Sequence, residues 1–188
     1  STVYFPPGTY KINVTVPRYI NLLGEANVGA VEGFTGAQTV PNCSTLTPQT
    51  NTTPVVTITE CLGQTLTNLR LQGPGAYTAS STGLSVRTGG GAFAGTGLQM
   101  RGVEIRDFEK GANVQANRSL VEHCSFMGCI YGWFSDTTGD GLPIDSTSFL
   151  NCSFGGARET SAGVRQSGGS RTNYGLYIKS YCRSVTIA

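Results

Sequence analysis

One histidine, His123, is all that the 188 residues contain. That scarcity excludes multi-histidine zinc or copper sites and any catalytic cluster built on several imidazoles. Tryptophan is as rare, with Trp133 alone. Charge is sparse too: 13 Lys and Arg and 11 Asp and Glu make about half the usual share. A net charge of +2 with no basic run gives no electrostatic footprint for nucleic acid or for an anionic membrane. No apolar stretch approaches the roughly 20 residues of a membrane-spanning helix, and no signal-peptide pattern opens the sequence. Long windows with a 3.6-residue apolar rhythm are missing, which excludes an all-α fold. The six cysteines, at 43, 61, 124, 129, 152 and 182, include no Cys-x-x-Cys pair, so neither a zinc ribbon nor a thioredoxin-like centre is expected.

What is present points to short strands and many turns. Glycine numbers 26, roughly twice average usage, and Ser plus Thr make 40. An apolar fraction of 38% suffices for one sizeable core, so residues 1–188 are read as a single domain. The opening Ser1-Thr2-Val3-Tyr4 reads as already inside a strand, which suggests a processed or partial chain.

Short β-type runs recur in a fixed order, each closed by Gly, Asn, Asp or Ser rather than by helix caps. One kind comprises residues 69–71, 103–108, 120–126, 149–154 and 185–187. A glycine-led kind follows it at 83–86, 111–114, 132–134 and 163–165, and a third precedes it at 55–58, 97–100 and 175–178. Three short strands that turn two corners and return to their start form one coil of a parallel β-helix, which buries its apolar face only by stacking on neighbouring coils. His123-Cys124-Ser125-Phe126 and Asn151-Cys152-Ser153-Phe154 share Cys-Ser-Phe and set the register, with Asp107-Phe108 fitting its first half. Cys124 and Cys152 then read as buried ladder thiols. Matching Ile105 to Val121 spans 16 residues, Val121 to Phe149 spans 28 and Phe149 to Ile187 spans 38, and the longer intervals place inserted loops at 135–146 and 155–173. A β-sandwich is the competing architecture, disfavoured because no Asn-Gly or Asp-Gly joins two alternating runs.

The segment Val3-Tyr4-Phe5-Pro6-Pro7-Gly8-Thr9-Tyr10-Lys11-Ile12, followed by Ile20-Asn21-Leu22-Leu23-Gly24, resembles the first coil of the pectate-lyase-like right-handed β-helix superfamily. That group includes phage tailspike depolymerases, polygalacturonases and pectate lyases. The specific match covers residues 1–24. The resemblance implies an all-β, right-handed parallel β-helix with three short strands per coil, a fragment of a longer solenoid. The helix that caps the first coil in that superfamily is missing, and Ser184-Val185-Thr186-Ile187-Ala188 ends without a cap. Open coil ends invite strand pairing, so coverage by neighbouring domains or chains is expected. Tailspikes and tail fibres are the nearest in character, which implies a homotrimer, other tail proteins as partners, and a virion or extracellular location.

Candidate chemistry concentrates in the second half, where residues 101–188 hold 17 of the 24 charges. Glycoside hydrolysis needs two carboxyl groups, one kept protonated. The loop from Ser135 to Asp145 offers Asp136, Asp140 and Asp145, and the neighbouring strand offers Glu122; a solvated turn is the plain alternative. The same aspartates are weighed as calcium ligands, without the spacing of a helix-loop-helix site, and no other cofactor is expected. Lyase chemistry needs a base and a cation, for which Arg165, Arg171, Lys179 and Arg183 are considered beside the alternative of isolated outward charges. The polygalacturonase signatures are absent, and Tyr177-Ile178-Lys179-Ser180 has only a faint likeness to them. His123 is read as a corner residue sharing a polar slot with Asp107 and Asn151. Tyr131, Trp133 and Phe134 are candidates for a platform under a sugar ring, with Trp133 the one expected at the surface.

Three readings follow. The first is a tailspike or tail-fibre module that binds, and in its fuller form depolymerises, host surface polysaccharide. The second is a secreted lyase or glycosidase of the same superfamily, and the third a purely structural virion fibre.

Overall fold

The computed structural model describes residues 1–25, 42–75, 78–87, 95–136, 146–156, 174–179 and 185–188. Those residues contain no helix. The chain runs through the same three directions again and again. The first lap is β1 (Thr2–Tyr4), β2 (Gly8–Lys11) and β3 (Val14–Val16); the second is β4 (Asn21–Leu23), β5 (Ser44–Thr47) and β6 (Val56–Ile58). The third is β7 (Thr65–Thr67), β8 (Arg70–Gln72) and β9 (Thr82–Val86). The fourth contains β10 (Gly95–Thr96), β11 (Gln99–Arg101), β12 (Glu104–Arg106), β13 (Lys110–Val114) and β14 (Ala116–Asn117). The fifth is β15 (Leu120–Glu122), β16 (Ser125–Cys129) and β17 (Tyr131–Asp136); the sixth is β18 (Thr147–Leu150), β19 (Ser153–Gly156) and β20 (Tyr174–Lys179); and β21 (Val185–Ile187) starts a seventh.

Each of the first six laps contributes one strand to each of three parallel sheets, and β21 extends the first, giving the orders β1-β4-β7-β11-β15-β18-β21, β2-β5-β8-β12-β16-β19 and β3-β6-β9-β13-β17-β20. This is a parallel β-helix with three strands per coil, and β10 with β14 adds a two-stranded ribbon.

Parallel stacking in register turns sequence positions into columns. Val3, Leu22, Leu66, Met100, Val121, Phe149 and Ile187 line up on the inner face of the first sheet. Tyr10, Leu46, Leu71, Ile105, Phe126 and Phe154 do so on the second, and Val14, Val56, Leu84, Ala112, Trp133 and Leu176 on the third. Most of the members between the end rungs are fully buried, and removal of such large side chains from water is the main force holding the laps together.

The register corrects one expected alignment. Ile105 pairs with Phe126, 21 residues on, and Met100 with Val121, also 21, so the 16-residue match of Ile105 to Val121 fails. The matches of Val121 to Phe149 and Phe149 to Ile187 hold. The reason is that residues 120–126 span two strands joined by a two-residue corner, His123 at φ 50° and Cys124. A single left-handed residue leaves the apolar spacing intact, so the run reads as continuous. The grouping of runs shifts with it. Val56–Ile58 and Tyr174–Lys179 join the glycine-led strands in the third sheet, whereas Gln99–Arg101 belongs to the first. The expected glycine-led run at 163–165 lies outside the described residues.

Corners are built from residues that tolerate φ > 0. Between the first and second sheets stand Asn68, Gly102, His123 and Asn151, at φ 52°, 61°, 50° and 51°. Their N–H groups donate to the carbonyls of Arg101, Glu122, Leu150 and Ala188 on the next lap. His123 and Asn151 thus share a slot as expected, but Asp107 does not. It occupies the other corner at φ 61°, stacked under Gly128, where a Cβ would come within 2.4 Å of its Oδ1. On the third sheet a different ladder demands glycine for closeness: a Cβ on Gly83, Gly111 or Gly132 would lie 2.7, 2.5 or 2.6 Å from the carbonyl oxygen of the next rung's glycine.

Candidate functional site

Alternation along β17 decides which aromatic side chains reach the surface. Trp133 and Ser135 point into the core, and Tyr131 and Phe134 point out. Trp133, expected at the surface as a sugar platform, is 1% exposed. It stands edge-to-face between Phe126 (6.1 Å, 86°) and Phe149 (5.0 Å, 88°) and donates its indole N–H to Ser135 Oγ at 2.9 Å. The small Ala112 on the rung beneath leaves room for the indole. The platform expectation therefore fails for Trp133; its neighbour Phe134 takes the outward position, because Gly132 shifts the alternation by one.

On the outer face of the third sheet, register places Tyr131 beside Tyr174 and Phe134 beside Tyr177. Both pairs stack nearly parallel, with centroids 5.4 Å apart at 4° and 5.2 Å apart at 3°. Edge-to-face contacts close the square: Tyr131 to Phe134 at 5.3 Å, Tyr174 to Tyr177 at 5.2 Å and Tyr131 to Tyr177 at 5.5 Å. These spacings fall in the favourable range for both geometries, each worth about 0.5–1.5 kcal/mol beyond area burial. On the rung below, Lys110 holds its Nζ 4.4 Å from the Phe134 centroid, a cation–π contact that fixes a positive charge at the edge of the aromatic square. Tyr174 is 37% exposed, and the other three rings are half-buried. Asn113 flanks Phe134 on the Lys110 rung, with Thr82 and Ser85 one lap further down. The result is a rigid patch of aromatic carbon with phenolic hydroxyls, an amide and an ammonium along its margin.

The predicted acids and bases separate. Asp136 ends β17 and is the register neighbour of Lys179 at the end of β20, so two of the predicted residues stand on adjacent rungs. Glu122 ends β15 in the first sheet, beside Arg101 by register, and so shares no sheet with Asp136. Asp140, Asp145, Arg165, Arg171 and Arg183 lie outside the described residues. Among the described residues no group of three or more His, Cys, Asp or Glu is positioned to hold a metal ion.

The second sheet presents an ionic network that the sequence did not single out. Arg70 donates through Nε to Glu104 Oε2 at 2.6 Å, and Arg106 Nη1 lies 3.4 Å from the other oxygen of the same carboxylate. Arg106 Nε and Gln72 Nε2 both donate to Asp107 Oδ2, at 3.2 and 2.8 Å. Charge-assisted bonds between rungs lock these side chains in place, and the two cations and two anions balance. The arrangement braces a corner rather than presenting a free acid.

No protein-family model matches the chain, and no curated protein matches it. A solved chain of Geobacillus virus E2, ORF18, superposes with a TM-score of 0.47 and 16% identity, over 86% of this chain and 36% of that one. The chain thus spans about a third of that protein's length.

Proposed function

We propose that the protein is a virion attachment module that holds a host surface polysaccharide against the outer face of its third sheet. The observation that carries this reading is the outward square of Tyr131, Phe134, Tyr174 and Tyr177 with Lys110 at its edge. Amphipathic rings that combine apolar faces with hydroxyl tips suit a sugar, whose axial C–H face is apolar and whose rim is hydroxyl. A stacked solenoid supports such a surface without the mobility of a loop. The resemblance of residues 3–24 to the first coil of the tailspike-containing superfamily supplies the virion context. Depolymerisation belongs to the fuller form of the same reading, with Asp136 as its candidate carboxylate.

Calorimetric titration with purified capsular polysaccharide and lipopolysaccharide tests the reading. Binding by the native protein, weakened about two- to tenfold in Tyr131→Ala and Tyr177→Ala, is the expected result, equivalent to about 0.5–1.5 kcal/mol per ring. Absence of binding to any such glycan, or tyrosine variants that bind as tightly as the native chain, would overturn it. Release of reducing ends or of ultraviolet-absorbing unsaturated products by the native protein, lost in Asp136→Asn, supports cleavage. A solution mass of three chains fits a virion component, and a single chain fits a secreted enzyme.

A further inference from the structure

Cys124 and Cys152 sit on consecutive laps, each one residue past the left-handed residue of the corner that joins the first sheet to the second. Their alignment is fixed from both sides. The His123 N–H donates to the Leu150 carbonyl, the Ser153 N–H donates to the Cys124 carbonyl, and Ser125 pairs with Ser153. Both are free thiols turned towards the apolar interior. The sulfurs converge on one stretch of β15: Cys124 Sγ lies 3.2 Å from the Glu122 carbonyl oxygen and Cys152 Sγ lies 3.3 Å from that of Val121. Neighbouring rungs stand about 4.8 Å apart, inside the roughly 4.4–6.8 Å window between Cα atoms that a disulfide requires. No other described cysteine faces a cysteine by register: Cys129 pairs with Gly156, and the Cys43 and Cys61 carbonyls accept from Gly8 and Thr96.

We propose that Cys124 and Cys152 form an oxidation site, closed by a small-molecule disulfide into a covalent clamp between the fifth and sixth laps. Cys152, the more exposed of the two, attacks first. Its thiolate takes one sulfur of oxidised glutathione, giving a mixed disulfide and expelling one glutathione thiolate. Cys124 then attacks the Cys152 sulfur, forming the Cys124–Cys152 bond and expelling the second. The two thiol protons pass to solvent, and the two electrons end on two molecules of reduced glutathione. The order follows from the environment. A hydrogen bond from Cys124 draws the Cys152 thiol below its usual range, while that bond and burial push Cys124 up.

The test exposes the native protein to oxidised glutathione, blocks remaining thiols with N-ethylmaleimide, and digests with a protease that cuts before aspartate. Cleavage at Asp136, Asp140 and Asp145 separates Cys124 from Cys152, and fragmentation of the linked peptides distinguishes Cys124 from Cys129 on one and Cys152 from Cys182 on the other. Expected is a linked pair of peptides joined through Cys124 and Cys152, lighter by two hydrogens and split by dithiothreitol. Full alkylation of both cysteines, a lasting glutathione adduct on Cys152, or a link from either one to Cys129 or Cys182 would overturn the assignment. In Cys124→Ser, glutathione is expected to remain trapped on Cys152. Cys152→Ser, which alters the less buried partner, is expected to leave Cys124 unmodified, and glutathione found on Cys124 there would contradict the proposed order.

Discussion

Ser135 receives the indole N–H of Trp133 at 2.9 Å and hands its own hydroxyl proton to the Val114 carbonyl at 2.8 Å. This two-step relay satisfies the only polar atom of the largest side chain in the core, one lap above the carbonyl that ends it. Ser135→Ala strands the buried indole donor, a loss of about 1–3 kcal/mol. A urea midpoint lowered to match is the expected outcome. The tryptophan is unique in the sequence, so its fluorescence reports the transition directly.

Glycines in this solenoid differ in why they are needed, and alanine substitution separates the reasons. Gly63, at φ 76° with nothing within 4 Å of a built Cβ, meets only the backbone penalty, about 1–2 kcal/mol. Gly111 meets the backbone oxygen of Gly132 at 2.5 Å, which cannot move without parting two rungs. Gly111→Ala is therefore expected to lose clearly more stability than Gly63→Ala in chemical denaturation; equal losses would disprove the ladder of close backbone contacts.

Alkaline pH tests the buried thiols. Burial pushes Cys61 up to about 11 and Cys129 up to about 12, from an ordinary 9.0. Above pH 9.0 the unfolded chain releases these protons while the folded chain keeps them, so stability is whole below that pH and falls as pH climbs towards 11 and 12. The slope is about 1.4 kcal/mol per pH unit for each thiol. Cys61→Ala and Cys129→Ala should each flatten the decline in urea midpoints across that range.

The fold was legible because stacking repeats chemistry. The Cys-Ser-Phe repeat aligned the fifth and sixth laps correctly, since identical residues occupy identical places on successive rungs. The fourth lap was misaligned to the fifth because the fifth lap's corner, His123 in the left-handed region followed by Cys124, does not interrupt the apolar rhythm. The outward aromatic patch was half legible. Tyr131 was singled out and does face outward, but the one-residue shift at Gly132 exchanged the fates of Trp133 and Phe134, and periodicity alone carries no mark of such a shift. Tyr174 and Tyr177 went unnoticed as partners because they lie 43 residues beyond Tyr131 and Phe134, joined to them only by the register of β17 with β20. The Arg70–Glu104 pair was missed for the same reason, its members being 34 residues apart.

The laps differ widely in perimeter, 21 residues from Met100 to Val121 and 38 from Phe149 to Ile187, while the rungs they connect stay aligned. Closure is solved rung by rung, so surface decoration and axial architecture are independently editable. Duplicating a turn extends the rod by about 4.8 Å without disturbing its cross-section, and lengthening a connection enlarges the outer surface without altering the rod. A scaffold with those two separate dials can change its surface while its own folding problem stays the same.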